Sequence, residues 1–371
     1  MTAHAELLED HWFRAQGLDP APVRRIHAED DMFRFEGDLG REAIGLRATY
    51  MRTGFEACRV LEHALAKTGR SLSGSPSLLE FACGYGRVTR FLAQRVDPQR
   101  ITSCDVLSSA VAYVQEHFGV QGLVSRTDPE EIELGGPYDV IFVASLFSHL
   151  PRHRFEQFLG LLSRALKPDG LLLFSTHGQK IVPEVTKDPS GFTFEPMSES
   201  AILDTAEYGA TFVDPKLVTA IARAQGIAAS AYLEREMWQH DLHFVSPSPL
   251  PALTADDRTP IARGSLQRAD VDASGHGIVG GFVRVPSCHR LDRVELIFDG
   301  ATAVEATLEP FAGDLPEVDG GSAFTQTTFV VGGPTGFLGS GTHTVVARAH
   351  FGDGSAWCFD VSELTVPEGI G

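Results

Sequence analysis

An acidic residue and two glycines lie between a predicted strand and a predicted helix. In the segment LLEFACGYGRVTRFLAQ (78–94), an apolar run ends at Glu80, Gly84 and Gly86 follow, and an amphipathic helical pattern then begins. Glycine adopts positive φ values without a steric penalty and lets another molecule approach the backbone closely. The turn therefore predicts a ligand site, although a glycine-rich turn alone does not identify the ligand.

Two histidines follow later predicted strands. His149 comes after YDVIFVASLF, and His177 lies at the end of LLLFSTHG. Histidine is the usual general base near neutral pH, so both are candidate catalytic residues. No cluster of histidines and carboxylates has a convincing metal-ligand spacing, and the sequence therefore predicts a metal-independent site.

Short apolar runs alternate with amphipathic patterns between residues 78 and 178. The runs are SLLEFA, RITSCDV, QGLVSRTD, YDVIFVASLF and LLLFSTHG, and the helical patterns include SSAVAYVQEHFG and PRHRFEQFLGLLSRALKPDG. Such alternation predicts a parallel sheet with helices on both faces. A sheet of this kind binds ligands beyond the carboxyl ends of its strands, near the glycine turn and both histidines.

The remaining segments complete the predicted architecture. Residues 1–75 are predicted as a helical N-terminal cap, 76–246 as the α/β domain and 247–260 as a Pro-rich linker. Residues 261–371 contain roughly six or seven short β-type runs between Gly, Pro and Asp turns, which predict an antiparallel β-sandwich. The predicted fold class is thus an α/β sheet with a helical cap, plus a C-terminal all-β sandwich.

Net charge, apolar runs and cysteine spacing indicate which kinds of partner and environment the protein has. The 371 residues carry 49 Asp and Glu against 31 Lys and Arg, and this net charge of −18 argues against nucleic acid as the main partner. No apolar run reaches the roughly 18 residues of a membrane span, and the acidic start lacks the plan of a signal peptide. Five scattered cysteines predict free thiols rather than a zinc site or a disulfide framework. We expect a cytoplasmic protein with no membrane span.

Three ligand motifs compete for the glycine turn. A P-loop needs Gly-Lys-Ser/Thr, which is absent, and a dinucleotide fingerprint needs a third glycine beyond Gly86. The segment from Glu80 to Gly86 instead resembles the acid-x-Gly-x-Gly-x-Gly turn of class I S-adenosylmethionine-dependent methyltransferases, with Ala82 in place of the first glycine. The resemblance extends over about residues 40–246, through CDV, RTDPEEI, SLFSHLP, ALKPDG and WQHDLHFV in order.

The resemblance implies a site for S-adenosylmethionine at this turn. Glu80 is expected to fix the amino end of the cofactor, Asp105 to accept both ribose hydroxyls, and Val106 to pack on the adenine. A negative φ at Ala82 would leave the turn intact, and otherwise the cofactor site is expected to be damaged. Tyr50 is expected to touch the cofactor as part of a lid, with packing in the core as the alternative. The implied cofactor-binding residues are Glu80, Ala82, Cys83, Gly84, Tyr85, Gly86, Asp105, Val106, Thr127, Asp128, Ala144, Ser145 and Tyr50.

The same resemblance implies an in-line methyl transfer, in which positioning supplies much of the acceleration. His149 is expected to take a proton from a hydroxyl acceptor, with His177 as the next candidate. For each, the alternative is a residue that only shapes its loop. The predicted function is O-methylation of a sugar hydroxyl on a glycan or sugar conjugate. Methylation of a small natural product and a catalytically silent binding protein with the methyltransferase fold stay open as alternatives.

The C-terminal runs resemble an immunoglobulin-like module. The resemblance rests on a strand that ends in Asp299-Gly300 and on the later segment GTHTVVARAHFGDG. Such a module would contact a glycan, form an oligomer contact or act as a spacer, and its fold does not separate these roles. The predicted partners are therefore a small-molecule or glycan acceptor and, through this module, a glycan or another copy of the chain.

Overall fold

The structure is a computed structural model, and it describes residues 10–21, 23–38, 43–74, 76–178, 188–197, 204–313, 315 and 323–368. By its internal contacts the chain divides into two compact units. One unit is Arg25–Thr259, and the other joins the residues up to Arg24 to those from Pro260 onward.

The Arg25–Thr259 unit alternates helices with strands. Its helices are α1 (Asp31–Asp38), α2 (Ala43–Lys67), α3 (Thr89–Leu92), α4 (Ser108–Phe118), α5 (Arg152–Arg164) and α6 (Pro215–Ala224). Its strands are β1 (Leu78–Phe81), β2 (Ile101–Asp105), β3 (Gln121–Val124), β4 (Tyr138–Val143), β5 (Leu166–Gly178), β6 (Phe192–Glu195), β7 (Ala210–Val213), β8 (Ala229–Met237) and β9 (His240–Ser246).

Five parallel strands form the centre of the sheet, in the order β3-β2-β1-β4-β5. Strand β9 runs antiparallel to β5 and to β8, while β7 pairs with the end of β5 and with β6. All four residues of β1 are buried, as expected for a parallel strand between two layers of helices. The predicted α/β sheet is confirmed.

The other unit is built from two antiparallel sheets. One has the order β10-β11-β15-β14 and the other β13-β12-β16-β17, which confirms the predicted all-β C-terminal fold. The strands are β10 (Arg263–Val271), β11 (His276–Pro286), β12 (Leu291–Phe298), β13 (Thr302–Glu305), β14 (Thr307–Pro310), β15 (Phe324–Pro334), β16 (Gly341–Phe351) and β17 (Ala356–Val366).

The N-terminal segment departs from the predicted cap of residues 1–75. Residues 10–15 are helical, and Trp12 Nε1 and Gln16 Nε2 both donate to the Cys358 carbonyl, at 3.2 and 3.1 Å. Trp12 and Phe13 are buried. The described residues up to Arg24 therefore belong to the β-sandwich unit, and only α1 and α2 of the predicted cap lie in the α/β unit.

All five cysteines lie in the described ranges, and each is a free thiol. Among the helices that the structure describes, none combines the length and the apolar character needed to cross a membrane.

Candidate active site

A cavity of about 450 Å³ lies at the carboxyl ends of β1, β2 and β4. The parallel order of these strands places the turns that follow them at one edge of the sheet. The cavity lining includes ten of the thirteen predicted cofactor-binding residues: Glu80, Ala82, Cys83, Gly84, Tyr85, Asp105, Val106, Thr127, Ala144 and Ser145. Its size is typical of a site for a small organic ligand.

The turn after β1 is held by two of its backbone N–H groups, which donate hydrogen bonds to β2. Cys83 N donates to the Cys104 carbonyl at 3.0 Å, and Gly84 N donates to Asp105 Oδ2 at 2.8 Å. Gly86 has a φ of +79°, and a Cβ there would lie 2.6 Å from the Phe118 ring. Gly86 is therefore needed for the close approach of α4, whereas Gly84 lines the cavity.

Ala82 adopts a φ of +61°, which excludes the first of the two alternatives drawn from the sequence, a negative φ. The left-handed conformation brings Cβ close to the carbonyl oxygen, which costs roughly 1–2 kcal/mol for an L-residue. The hydrogen bonds at Cys83 and Gly84 are nevertheless formed. Ala82 thus takes the conformation that a glycine would adopt, and the strain does not break the turn.

The Ala82→Gly variant is expected to raise the free energy of unfolding by about 0.5–1 kcal/mol. Glycine removes the backbone strain from the folded state. The greater conformational entropy of glycine in the unfolded chain offsets only part of this gain. Urea denaturation measures the difference. The matched control is Ala93→Gly, where φ is −64° and glycine should lower the stability by a similar amount. An unchanged or lower stability for Ala82→Gly would contradict the strain.

Two buried carboxylates face the cavity from β1 and β2. Glu80 Oε2 accepts hydrogen bonds from Thr89 Oγ1 at 2.6 Å and Ser103 Oγ at 3.3 Å. Burial raises the pKa of Glu80 to about 7. Asp105 accepts from Gly84 N and from Leu107 N, at 2.8 and 2.9 Å, and burial also raises its pKa. Neither carboxylate has an ion-pair partner in the described part of the chain. The site therefore suits a ligand with cationic and hydroxyl groups.

The loop after β4 connects the cavity to His149. Ser145 has a φ of +74°, and its Oγ lies 3.4 Å from His149 Nε2. His149 Nδ1 lies 2.7 Å from the Gly209 carbonyl, which can only accept, so Nδ1 carries the proton of the neutral ring. His149 is buried and stacks on Tyr208, with ring centroids 4.6 Å apart. Nε2 is therefore the acceptor nitrogen, directed at a residue of the cavity wall.

His177, like His149, is not part of the cavity lining. Its ring centroid is 5.9 Å from that of His149, and its buried Nδ1 has no hydrogen-bond partner. Burial, with a smaller contribution from the charge of His149, lowers the pKa of His177 to about 4. A neutral, weakly basic His177 follows. Among the described residues, no group of three or more His, Cys, Asp or Glu side chains is arranged to hold a metal ion.

The central part of this unit matches a known family model. Residues 78–170 match the methyltransferase domain family. The match includes the β1 turn, Asp105, Ser145 and His149. The match agrees with the resemblance to class I methyltransferases that the sequence shows, and that resemblance implies S-adenosylmethionine as the cofactor. The two buried carboxylates and the turn between β1 and α3 fit S-adenosylmethionine, since this cofactor offers cationic groups and ribose hydroxyls.

Curated and solved proteins resemble parts of this chain. The malonyl-[acyl-carrier protein] O-methyltransferase of Bacillus cereus is 32% identical over 123 residues, which are 33% of this chain and 45% of that protein. The chain thus spans less than half the length of this relative. The structure of DesVI from Streptomyces venezuelae has a TM-score of 0.41 and 14% identity, covering 60% of this chain and all of DesVI. The DhpI–SAH complex has a TM-score of 0.38 and 20% identity, covering 67% of this chain and all of DhpI.

Three of the predicted cofactor-binding residues, Tyr50, Gly86 and Asp128, are not part of the cavity lining. Tyr50 is buried, and its hydroxyl binds Asp30 and Arg90 instead of facing the cavity. Asp128 caps the turn at Glu130 and forms an ion pair with Arg154, which itself lines the cavity. The third is Gly86, which faces α4. Tyr50 and Asp128 each contact a residue of the lining, Asp30 and Arg154 respectively.

The cavity also includes residues that no motif predicts. Asp30, Arg154 and Tyr208 belong to its lining. Asp30 precedes α1, and its Oδ1 accepts from Met32 N and Phe33 N as a helix cap. An aspartate before a helical pattern is a readable capping signal, but nothing in the sequence indicates that this cap faces a ligand.

Proposed function

We propose that the chain is an S-adenosylmethionine-dependent O-methyltransferase whose acceptor is a hydroxyl group, with a sugar of a glycan or sugar conjugate as the expected substrate. The observation that carries the proposal is the pair of buried carboxylates, Glu80 and Asp105, facing one cavity beside the β1 turn. A buried carboxylate without a cation is unfavourable until a ligand supplies a partner.

The carboxylates have separate roles in cofactor binding. Asp105 uses one acceptor position on each oxygen for Gly84 N and Leu107 N, which leaves about two positions for the ribose hydroxyls. Glu80 lies one strand away and faces the cationic amino end. When bound, the cofactor supplies an electrophilic methyl group. The β1 turn, through Cys83 and Gly84, forms the adjoining wall.

His149 is the base in this proposal. The hydrogen bond from Nδ1 to the Gly209 carbonyl fixes the tautomer and leaves Nε2 as the proton acceptor. Nε2 lies behind Ser145 Oγ, so the acceptor hydroxyl passes its proton to Nε2 directly or through the Ser145 hydroxyl. His177 stays neutral and holds its place beside His149.

Titration calorimetry of the full chain tests the cofactor part of the proposal. S-adenosylmethionine and S-adenosylhomocysteine should each bind at one site, and NAD, which has a different pyrophosphate-linked shape, should give no heat. Folded protein that binds neither S-adenosyl ligand would overturn the proposal.

A carboxylate acceptor is the second candidate, because the Bacillus cereus relative is named as a malonyl-[acyl-carrier protein] O-methyltransferase. A carboxylate is already ionised at neutral pH and needs no base. The two acceptor classes therefore differ in their dependence on His149.

The His149→Ala variant is expected to lower turnover of a hydroxyl acceptor by about 100-fold, since general-base catalysis contributes about 10²–10⁴-fold. Its affinity for S-adenosylhomocysteine should stay unchanged, because His149 lies behind the lining. Transfer of a labelled methyl group to acceptors from a screen measures turnover. The control is His153→Ala on the exposed face of α5. Full activity of His149→Ala would exclude it as the base and favour a carboxylate acceptor.

A further inference from the structure

Asp30 is a third buried carboxylate at the cavity. Its side chain lines the cavity while only 3% of the residue is exposed. Oδ1 accepts from Met32 N at 3.0 Å and Phe33 N at 3.2 Å, and Oδ2 accepts from the Tyr50 hydroxyl at 2.5 Å. These three bonds use three of the roughly four acceptor positions of a carboxylate. One position on Oδ2 is left for a further donor.

The charge of Asp30 has no direct counter-charge in the protein. None of the described residues forms an ion pair with it. The nearest connected cation is Arg90, which reaches Asp30 only through the Tyr50 hydroxyl. A carboxylate that is buried without a cation is strongly unfavourable unless a partner arrives. A ligand bound in the cavity can supply this cation.

A chain of hydrogen bonds fixes the position of Asp30 relative to the β1 turn. Arg90 Nε donates to the Gly86 carbonyl at 2.8 Å, and Nη2 donates to the Tyr50 hydroxyl at 3.2 Å. Tyr50 then donates to Asp30. The same guanidinium thus fixes the turn that approaches the ligand and the acid that faces it. This arrangement positions the carboxylate that caps α1 relative to the turn.

We propose that Asp30 binds a positively charged group of S-adenosylmethionine and that Tyr50 and Arg90 act as positioning residues for it. The inference rests on the proposed function and extends it to a residue outside the matched domain. Two groups of the cofactor carry the required charge, the ammonium and the sulfonium. Both groups offer a positive charge to the carboxylate. Ligands that lack one or both of these groups show which of them Asp30 binds.

Calorimetry of the Asp30→Asn variant with three ligands tests this role. Asparagine caps a helix as well as aspartate does, so the substitution keeps the cap and removes the charge together with the acceptor of the Tyr50 hydroxyl. S-adenosylmethionine has both cations, S-adenosylhomocysteine has the ammonium only, and methylthioadenosine has neither. We expect at least about a tenfold loss of affinity for the cationic ligands and less than about a twofold change for methylthioadenosine. Equal losses for the first two assign the ammonium, and a loss for S-adenosylmethionine alone assigns the sulfonium.

The matched control is Asp214→Asn, since Asp214 caps α6 through Lys216 N and does not line the cavity. It should leave all three affinities unchanged. An equal loss for methylthioadenosine in Asp30→Asn would overturn the proposal, because it would indicate a distorted site. Unchanged affinities would overturn it while leaving the proposed function intact. If wild-type protein binds none of the ligands, the proposed function fails first and the role of Asp30 fails with it.

Discussion

Replacing Arg90 with methionine is expected to lower the free energy of unfolding of the Arg25–Thr259 unit by about 3–5 kcal/mol. Arg90 is only 1% exposed. Its guanidinium donates to the carbonyls of Gly86, Arg25 and Tyr85, at 2.8, 2.7 and 3.3 Å, and to the Tyr50 hydroxyl. Hydrogen bonds to a charged group contribute more than neutral ones, and methionine can make none of them.

Methionine is the informative replacement because it keeps most of the apolar stem and leaves little empty volume. The remaining loss then reports the hydrogen bonds and the contacts of the guanidinium with the Tyr50 and Phe118 rings, whose centroids lie 5.1 and 5.3 Å away. Urea denaturation followed by helical circular dichroism measures it. Arg152→Met, which removes an exposed ion pair with Glu156, should change the stability by less than about 0.5 kcal/mol. A comparable small loss in Arg90→Met would contradict the expected effect.

The fold of the α/β unit could be predicted because its signals are local. Apolar runs such as Tyr138–Val143 are buried on both faces, and the helices between them show a regular polar face. The grouping of residues 10–24 could not be predicted in this way. Trp12 binds Cys358, which is 346 positions away, and no local pattern reports such a contact. Helix α3 is also shorter than its apolar pattern predicts, since it spans only Thr89–Leu92.

Some residues of the candidate site could likewise be predicted from local motifs, and others could not. Glu80 and Asp105 lie near the carboxyl ends of β1 and β2, and Ser145 follows β4. The strand order brings these ends together, so a motif at each strand end places the three residues at one cavity. The orientation of Tyr50 could not be read from its helical stripe, because a buried ring suits either the core or a ligand. Arg90 decides between these orientations by holding the Tyr50 hydroxyl. Asp30 has no motif, and only the folded arrangement directs it at the cavity.

Replacing Glu80 with glutamine is expected to stabilise the ligand-free protein while weakening cofactor binding. Burial raises the pKa of Glu80 from 4.5 to about 7 in the folded state. The folded state therefore favours the protonated acid, and this contribution is complete below pH 4.5 and is lost as the pH rises through about 7. Such a shift corresponds to about 3 kcal/mol once the group is ionised. Glutamine is never ionised, so Glu80→Gln should be more stable than wild type by up to about 3 kcal/mol near pH 8, with little difference near pH 4.

Bound cofactor should favour the wild-type protein over Glu80→Gln, because a bound cation stabilises the ionised form of Glu80 and lowers its pKa. Wild-type protein is then expected to release a proton on binding S-adenosylhomocysteine, and its affinity should rise between about pH 6 and 8. Glu80→Gln should bind at least about tenfold more weakly at pH 8 and lack this rise. Urea denaturation and calorimetry at matched pH values measure both effects, with Glu156→Gln on exposed α5 as the control. A stability difference that does not change with pH would contradict the buried-acid account. An affinity that rises with pH equally in both proteins would exclude Glu80 as the group that meets the cation.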